Sequence, residues 1–261
     1  DSVYDYPYLS SSANHIFDLS FGLSSRASSS ANNQNAKKVN MYNQMAQVLF
    51  GYDTDGKIRK FDSDGTLDDD AGTMDHCFFL NLSRLLCKDE IKKNTFRMGL
   101  FQSGTLAAPS TLITLGDYDA GNEFRTSPAG DYGLIFSASG DSSDNTKSVG
   151  LLFYQAGVAV ISSSVFQSPN ATHAPTPFGG AGADEASILE AQRDQTISQL
   201  AGGFRHRLYD IDFNNTIELN STIYFCRVNH NEFNYSSNPT YVTASKLVIK
   251  NQATDLPITY I

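Results

Sequence analysis

The apolar residues of this 261-residue chain come in short runs of strand length, each closed by Gly, Pro, Asn, Asp or Ser. HIFDLSFGL, HCFFLNL, TFRMGLF, TLITL, DYGLIFSAS and GLLFYQAGVAVIS follow this pattern, which favours strands joined by tight turns. The longest run, GLLFYQAGVAVI, is interrupted by Gln155 and Gly157, so it folds back as a hairpin at Gln155-Ala156-Gly157 rather than spanning a bilayer. The last quarter repeats the alternation between Asn-rich turns, with Ile223, Phe225, Val228, Leu247 and Ile249 as expected strand faces. The expected fold is therefore α+β and mostly β: antiparallel strands and hairpins with one or two helices packed on or beside the sheets.

Two segments break the strand pattern. From Ala36 to Phe50, Tyr42, Met45, Ala46 and Leu49 fall on one helical face, Asn35 can cap the start, and Gly51 can close the end in a left-handed conformation. A second helix is expected from Asp184 to Leu200, with acids early and Gly202-Gly203 as its stop. Its apolar positions Ile188, Leu189, Ile197 and Leu200 form a narrow stripe, so it reads as partner-facing or lightly packed. Between the helices, Phe96, Met98 and Leu100 share one strand face, and the charged KDEIKKN connection joins that strand to HCFFLNL. The resulting division is an N-terminal strand and tether region (1–35), a β-rich domain with its helix (36–168) and a Pro/Gly linker (169–183). Residues 184–261 then supply a helix and a C-terminal β-meander that can complete the same domain.

Candidate chemistry is sparse. Asp62, Asp64 and Asp68 bring hard oxygen ligands close together, as a calcium site requires, but Gly65 follows Asp64 directly and no Glu closes a twelve-residue loop. The stretch reads as solvated turns at Asp55-Gly56 and Asp64-Gly65. His230 near Glu232 lacks the cysteine pair of a zinc deaminase, His206 stands between Arg205 and Arg207, and His76 has only Cys77 beside it. No nucleophile elbow, phosphate-binding loop, dinucleotide fingerprint or HExxH motif is present, so no catalytic residue, cofactor or firm metal ligand is assigned. Arg205, Arg207 and Arg227 beside Asp210 and Asp212 are expected to pair across strands. The aromatic residues of EFNYSSNPTY, chiefly Phe233, Tyr235 and Tyr241, are the interaction candidates.

A formal net charge of −9 argues against nucleic acid and anionic membranes as partners. Cys77, Cys87 and Cys226 form an odd, widely spaced set that reads as buried thiols of a protein folded in a reducing cytoplasm. The chain begins without Met and without a signal-like segment, which suits a fragment or processed product.

Three blocks, NAKKVNMYNQMAQVLFG, FFLNLSRLLCKDEIKKNTF and FRHRLYDIDFNNTIELNSTIYFCRVNHNEFNYSSNPTY, resemble virion structural proteins of T4-like marine phages, particularly cyanophages. They cover about a third of the chain, and the likeness is one of texture and block order. The resemblance implies a non-enzymatic particle component, assembled in the host cytoplasm and placed in the tail, baseplate or neck, with copies of itself and other virion proteins as partners. Capsid decoration or a vertex position is one alternative. A receptor- or glycan-binding module of a tail fibre, contacting host-surface glycan, is another, and a carboxylate-rich depolymerase a third. In the family, KLVIKNQATDLPITYI leads into further strands, so the chain is expected to stop short of the usual end.

Overall fold

The structure is a computed structural model that describes residues 1–5, 13–27, 33–65, 72–105, 108–137, 148–166, 192–227, 242–243 and 246–247. It divides into a unit from Asp1 to Glu218 and a second from Leu219 to Ile261. Within the first unit, the N-terminal strands and residues 192–218 pack into the same sheet and core as residues 36–166.

The first unit is mostly antiparallel β, as the run lengths require, and its main sheet curls into a half-barrel. In chain order the strands are β1 (Ser2–Tyr4), β2 (His15–Leu23), β3 (His76–Leu82), β4 (Glu90–Ile91), β5 (Arg97–Thr105), β6 (Ala108–Gly116) and β7 (Arg125–Ser127). They continue with β8 (Gly130–Ser137), β9 (Ser148–Phe153), β10 (Val158–Ser162), β11 (Leu208–Asp212) and β12 (Asn215–Thr216). The sheet order is β1-β2-β3-β10-β9-β8-β6-β5-β11, with β7 paired to β8. β4 and β12 form a separate two-stranded ladder. The β9–β10 hairpin turns at the expected place, where Phe153 faces Val158 and Gly157 takes φ +68°. HCFFLNL and RMGLF are both strands, but they are not neighbours: β3 lies between β2 and β10, while β5 pairs with β6 and β11. Their connection holds a short helix, α2 (Arg84–Cys87), and β4.

Strand alternation sorts the side chains into two buried layers. On β3, Phe78, Leu80 and Leu82 enter one cluster while Cys77 and Phe79 enter the other. On β10, Ala159 and Ile161 separate from Val158 and Val160 in the same way. Helix α1 (Asn33–Leu49) covers the second layer with Tyr42, Ala46 and Leu49, joined by Phe50, Phe61 and Met74. α1 begins earlier than the sequence suggests, so Asn35 sits buried inside its first turn instead of capping it; the first-turn N–H groups lack intrahelical partners and tolerate polar side chains there. Gly51 closes the helix as expected, at φ +75°, with its N–H on the Ala46 carbonyl at 3.1 Å.

The other layer is closed by α3 (Ile197–Arg205), a 3₁₀ turn (Ser163–Phe166), and the inner side of β5 and β6 through Met98, Leu100 and Leu115. The second helix therefore differs from expectation in extent and role. Residues 192–194 are helical, but a new helix starts after Thr196, whose hydroxyl and the Gln199 side chain form a reciprocal capping box. Gly202 and Gly203 lie inside α3 rather than stopping it. Leu200, Ala201 and Phe204 are buried in the core, so the helix is neither lightly packed nor partner-facing. Ile188, Leu189 and the Pro/Gly linker lie outside the described residues.

In the second unit, residues 219–227 have no regular structure, and a two-residue hairpin pairs β13 (Val242–Thr243) with β14 (Lys246–Leu247). Ile223 and Phe225 are thus not in a strand, because an alternating stretch becomes one only when another strand pairs with it. Leu247 is in β14, while Val228 and Ile249 lie outside the described residues.

Candidate functional site

The acidic loop after α1 brings two of its three calcium candidates together. Asp62 is buried, its Oδ1 accepts the Asp64 N–H at 3.0 Å, and both carboxylates crowd Gly72, which takes φ +81°. The Arg125 guanidinium packs against neighbouring Gly65, placing a cation where a calcium ion would need none. Asp68 lies outside the described residues, and among those described no group of three or more His, Cys, Asp or Glu could hold a metal ion. His206 ends α3, its N–H reaching back to the Gly202 carbonyl at 3.1 Å, and His230 lies outside the described residues.

Two buried polar nodes were not singled out from the sequence. Asp117, fully buried after β6, receives four donors: Phe96 N–H at 3.0 Å and Arg97 at 3.2 Å on Oδ1, Asn94 N–H at 2.8 Å and the Tyr154 hydroxyl at 3.2 Å on Oδ2. Burial raises its pKa above the ordinary carboxylate value despite those donors. The node ties the start of β5 to the end of β6 and to β9. Around it, Lys93 binds Asp131 at 2.8 Å and lies 3.4 Å from the Phe124 ring centre.

The second node joins α1, β3 and residues 192–194. Lys38 is fully buried, and its Nζ donates to the carbonyls of Gln192 and Arg193 at 2.7 Å each, satisfying the end of that helical turn. The signal was present: Lys38 lies one turn before Tyr42, on the helix's apolar face. Beside it His76 is buried, and desolvation followed by the Arg193 charge pushes its pKa down to about 4. Burial likewise lowers Lys38 to about 8, opposed by Asp194. Asp75, preceding His76, is engaged by Arg26 at 2.9 Å and by the Ser24 hydroxyl.

Among the described residues, an apolar face lies on the outer side of β5, β6 and β11. Phe101 is registered with Leu112 across β5 and β6, and its ring meets that of Tyr209 edge-on at 5.6 Å. Leu112 is 47% exposed and Tyr209 62%. A bulge between Leu208 and Asp210 makes this possible, turning both Leu208 and Ile211 toward the core and Tyr209 outward. Farther along the same face, the Arg97 guanidinium covers the Tyr118 ring at 4.1 Å. The expected cross-strand pairing of arginines and aspartates takes another form here. Arg207 donates to the Phe101 carbonyl, and Asp210 accepts the Gly99 N–H at 2.9 Å. The candidates Phe233, Tyr235 and Tyr241 lie outside the described residues.

Comparison of the chain with protein-family models, curated proteins and solved structures found no match.

Proposed function

We propose that this protein is a non-enzymatic structural component of a phage virion, placed in the tail, baseplate or neck and acting through contacts with copies of itself and with neighbouring virion proteins. The observation that carries the reading is the Phe101–Leu112–Tyr209 face, a patch with half-buried Phe101 and exposed Leu112 and Tyr209 on strands whose other side packs on the core. Aromatic residues, Tyr among them, are enriched in protein interfaces, where a ring buries much area at little entropic cost. The buried ionisable groups support the same reading, since Asp117 and Lys38 are committed to backbone and side-chain partners that hold elements together. The three sequence blocks that resemble phage virion proteins supply the biological setting.

Light scattering coupled to size exclusion tests the self-association. Wild-type protein should form an oligomer, and the double variant Leu112→Ser/Tyr209→Ser should shift to monomer while keeping its circular dichroism spectrum. Wild-type protein that stays monomeric at high concentration, and is missing from purified particles, would refute the reading.

A further inference from the structure

The Lys38–His76 node joins one segment to the core in an unusual way. Residues 192–194 sit on α1 through two hydrogen bonds from a single buried ammonium, and the side chain of Gln192 is fully buried with both amide heteroatoms unpartnered. His76 Nδ1 is also buried without a partner. The charged groups acting on the His76 ring are Lys38 from α1, Arg193 from the turn, and Asp75 from its own strand entry, and the Phe21 ring of β2 lies 6.4 Å away. Two of the three charges are positive. The one negative group is already shared between Arg26 and Ser24.

We propose that the Gln192–Asp194 turn is a proton-released latch: protonation of His76 lifts the turn from Lys38 and opens the node to water. An imidazolium there would be a third cation, beside Lys38 and Arg193, in a site with little solvent, where Asp75, the Gln192 side chain and, on the Lys38 side, Asp194 offset the burial only in part. Lifting the turn is the direct relief, because it removes Arg193 from the ring and lets water reach it. α3 begins two residues beyond the turn with its own capping box, so it keeps its N-terminus when the turn leaves.

The sign follows from the imidazole. The closed state holds His76 near pH 4 and an open, hydrated state has the ordinary value of 6.5, so the open form binds more protons between them. The latch is closed above pH 6.5 and is progressively released as pH falls toward 4. At pH 5 the open population rises about 30-fold over its neutral-pH value.

Hydrogen exchange of the full chain tests this, with protection corrected for the intrinsic pH dependence. Amides of residues 192–196 should lose about 30-fold protection between pH 7.5 and pH 5, while those of Leu151–Phe153 on β9 lose far less. His76→Gln should flatten that response, and Lys38→Met should leave the turn open at both pH values. Equal losses at 192–196 and on β9, or the same pH response in His76→Gln as in wild type, would overturn the proposal. If His76→Gln does not fold, the wild-type imidazole is followed by NMR: titration near 6.5 with no change at 192–196 overturns it, and titration shifted well below 6.5 together with opening of the turn supports it.

Discussion

Helix α1 meets the sheet at Gly22, and replacing that glycine is the sharpest test of how the second layer is built. An ideal Cβ at Gly22 would sit 2.9 Å from Phe79 Cε2, 2.9 Å from the Tyr42 backbone nitrogen and 3.0 Å from Tyr42 Cα. Comfortable carbon contacts lie at about 3.5–4.0 Å, so the new methyl needs roughly 0.5–1 Å more room. The Phe79 ring could yield by a small rotation, but the other two atoms are backbone in the middle of α1. The whole helix must therefore shift, and with it Tyr42, Ala46 and Leu49 in the close-packed second layer. Overpacking of this kind costs about 1–3 kcal/mol. Gly22 is not in the left-handed region, so alanine recovers about 0.5–1 kcal/mol by restricting the unfolded chain. With rigid backbone as the obstacle, the net expectation for Gly22→Ala is a loss of about 2 kcal/mol, or about 4–8 °C in Tm for a unit of this size. Gly202→Ala is the matched control. It lies inside α3 with nothing within 4 Å of its ideal Cβ, and should stabilise by about 0.5–1 kcal/mol. Urea unfolding with unchanged slope measures both. A Gly22→Ala protein as stable as wild type would show that α1 does not press on β2 as described.

Phe204→Ala should cost about 3–5 kcal/mol in the same assay, because it removes a fully buried ring packed 4.9 Å from Phe78 and 5.8 Å from Phe166; Leu85→Ala, at an 87% exposed site, should stay within about 0.5 kcal/mol. A small loss at Phe204 would mean that α3 does not close the first layer. The thiols should separate under native labelling with a maleimide at pH 8: burial raises Cys77 well above its ordinary range and Cys87 to about 11, whereas Cys226 is exposed and should react first and alone. Comparable labelling of Cys87 in folded protein would contradict its placement beneath the β9–β10 turn, where it lies against Gly157.

Local features of the fold were legible because they depend on residues close in sequence. The helix after the first loop, the Gly51 stop, the hairpin at Gly157 and the shared face of Phe96, Met98 and Leu100 all follow from period and turn chemistry. The second helix was misjudged for an equally local reason. Thr196-Ile-Ser-Gln199 is a capping signature that starts a new helix inside the expected span, and paired glycines end a helix only where packing does not hold them in one. Strand order was not legible, since the pairing of β3 with β2 and β10 joins segments separated by long loops. Neither was the Lys38 node, whose partners come from residues about 150 positions away. The outward turn of Tyr209 depends on the bulge at Leu208–Asp210, and strict alternation would have placed Leu208 and Ile211 on opposite faces.

The way the layers close limits how the proposed assembly contact can be made. β3, β9 and β10 are buried on both faces, so they have no apolar side left to present. At the β11 end of the sheet only the inner side is covered, and the bare outer side carries Phe101, Leu112 and Tyr209. Strand addition from a second copy at β11 would set Asp210 and Asp212 against the same acidic residues, which is how natural sheets discourage edge pairing. The Asp210 carboxylate is moreover occupied with the Gly99 N–H, where the bulge has displaced the backbone ladder. A partner therefore has to lie across the face and not along the rim, covering the Tyr209 ring and leaving the carboxylates at the wet border of the contact. On this geometry, removing the ring should weaken the oligomer strongly, while neutralising Asp212 should alter mainly how the association responds to salt.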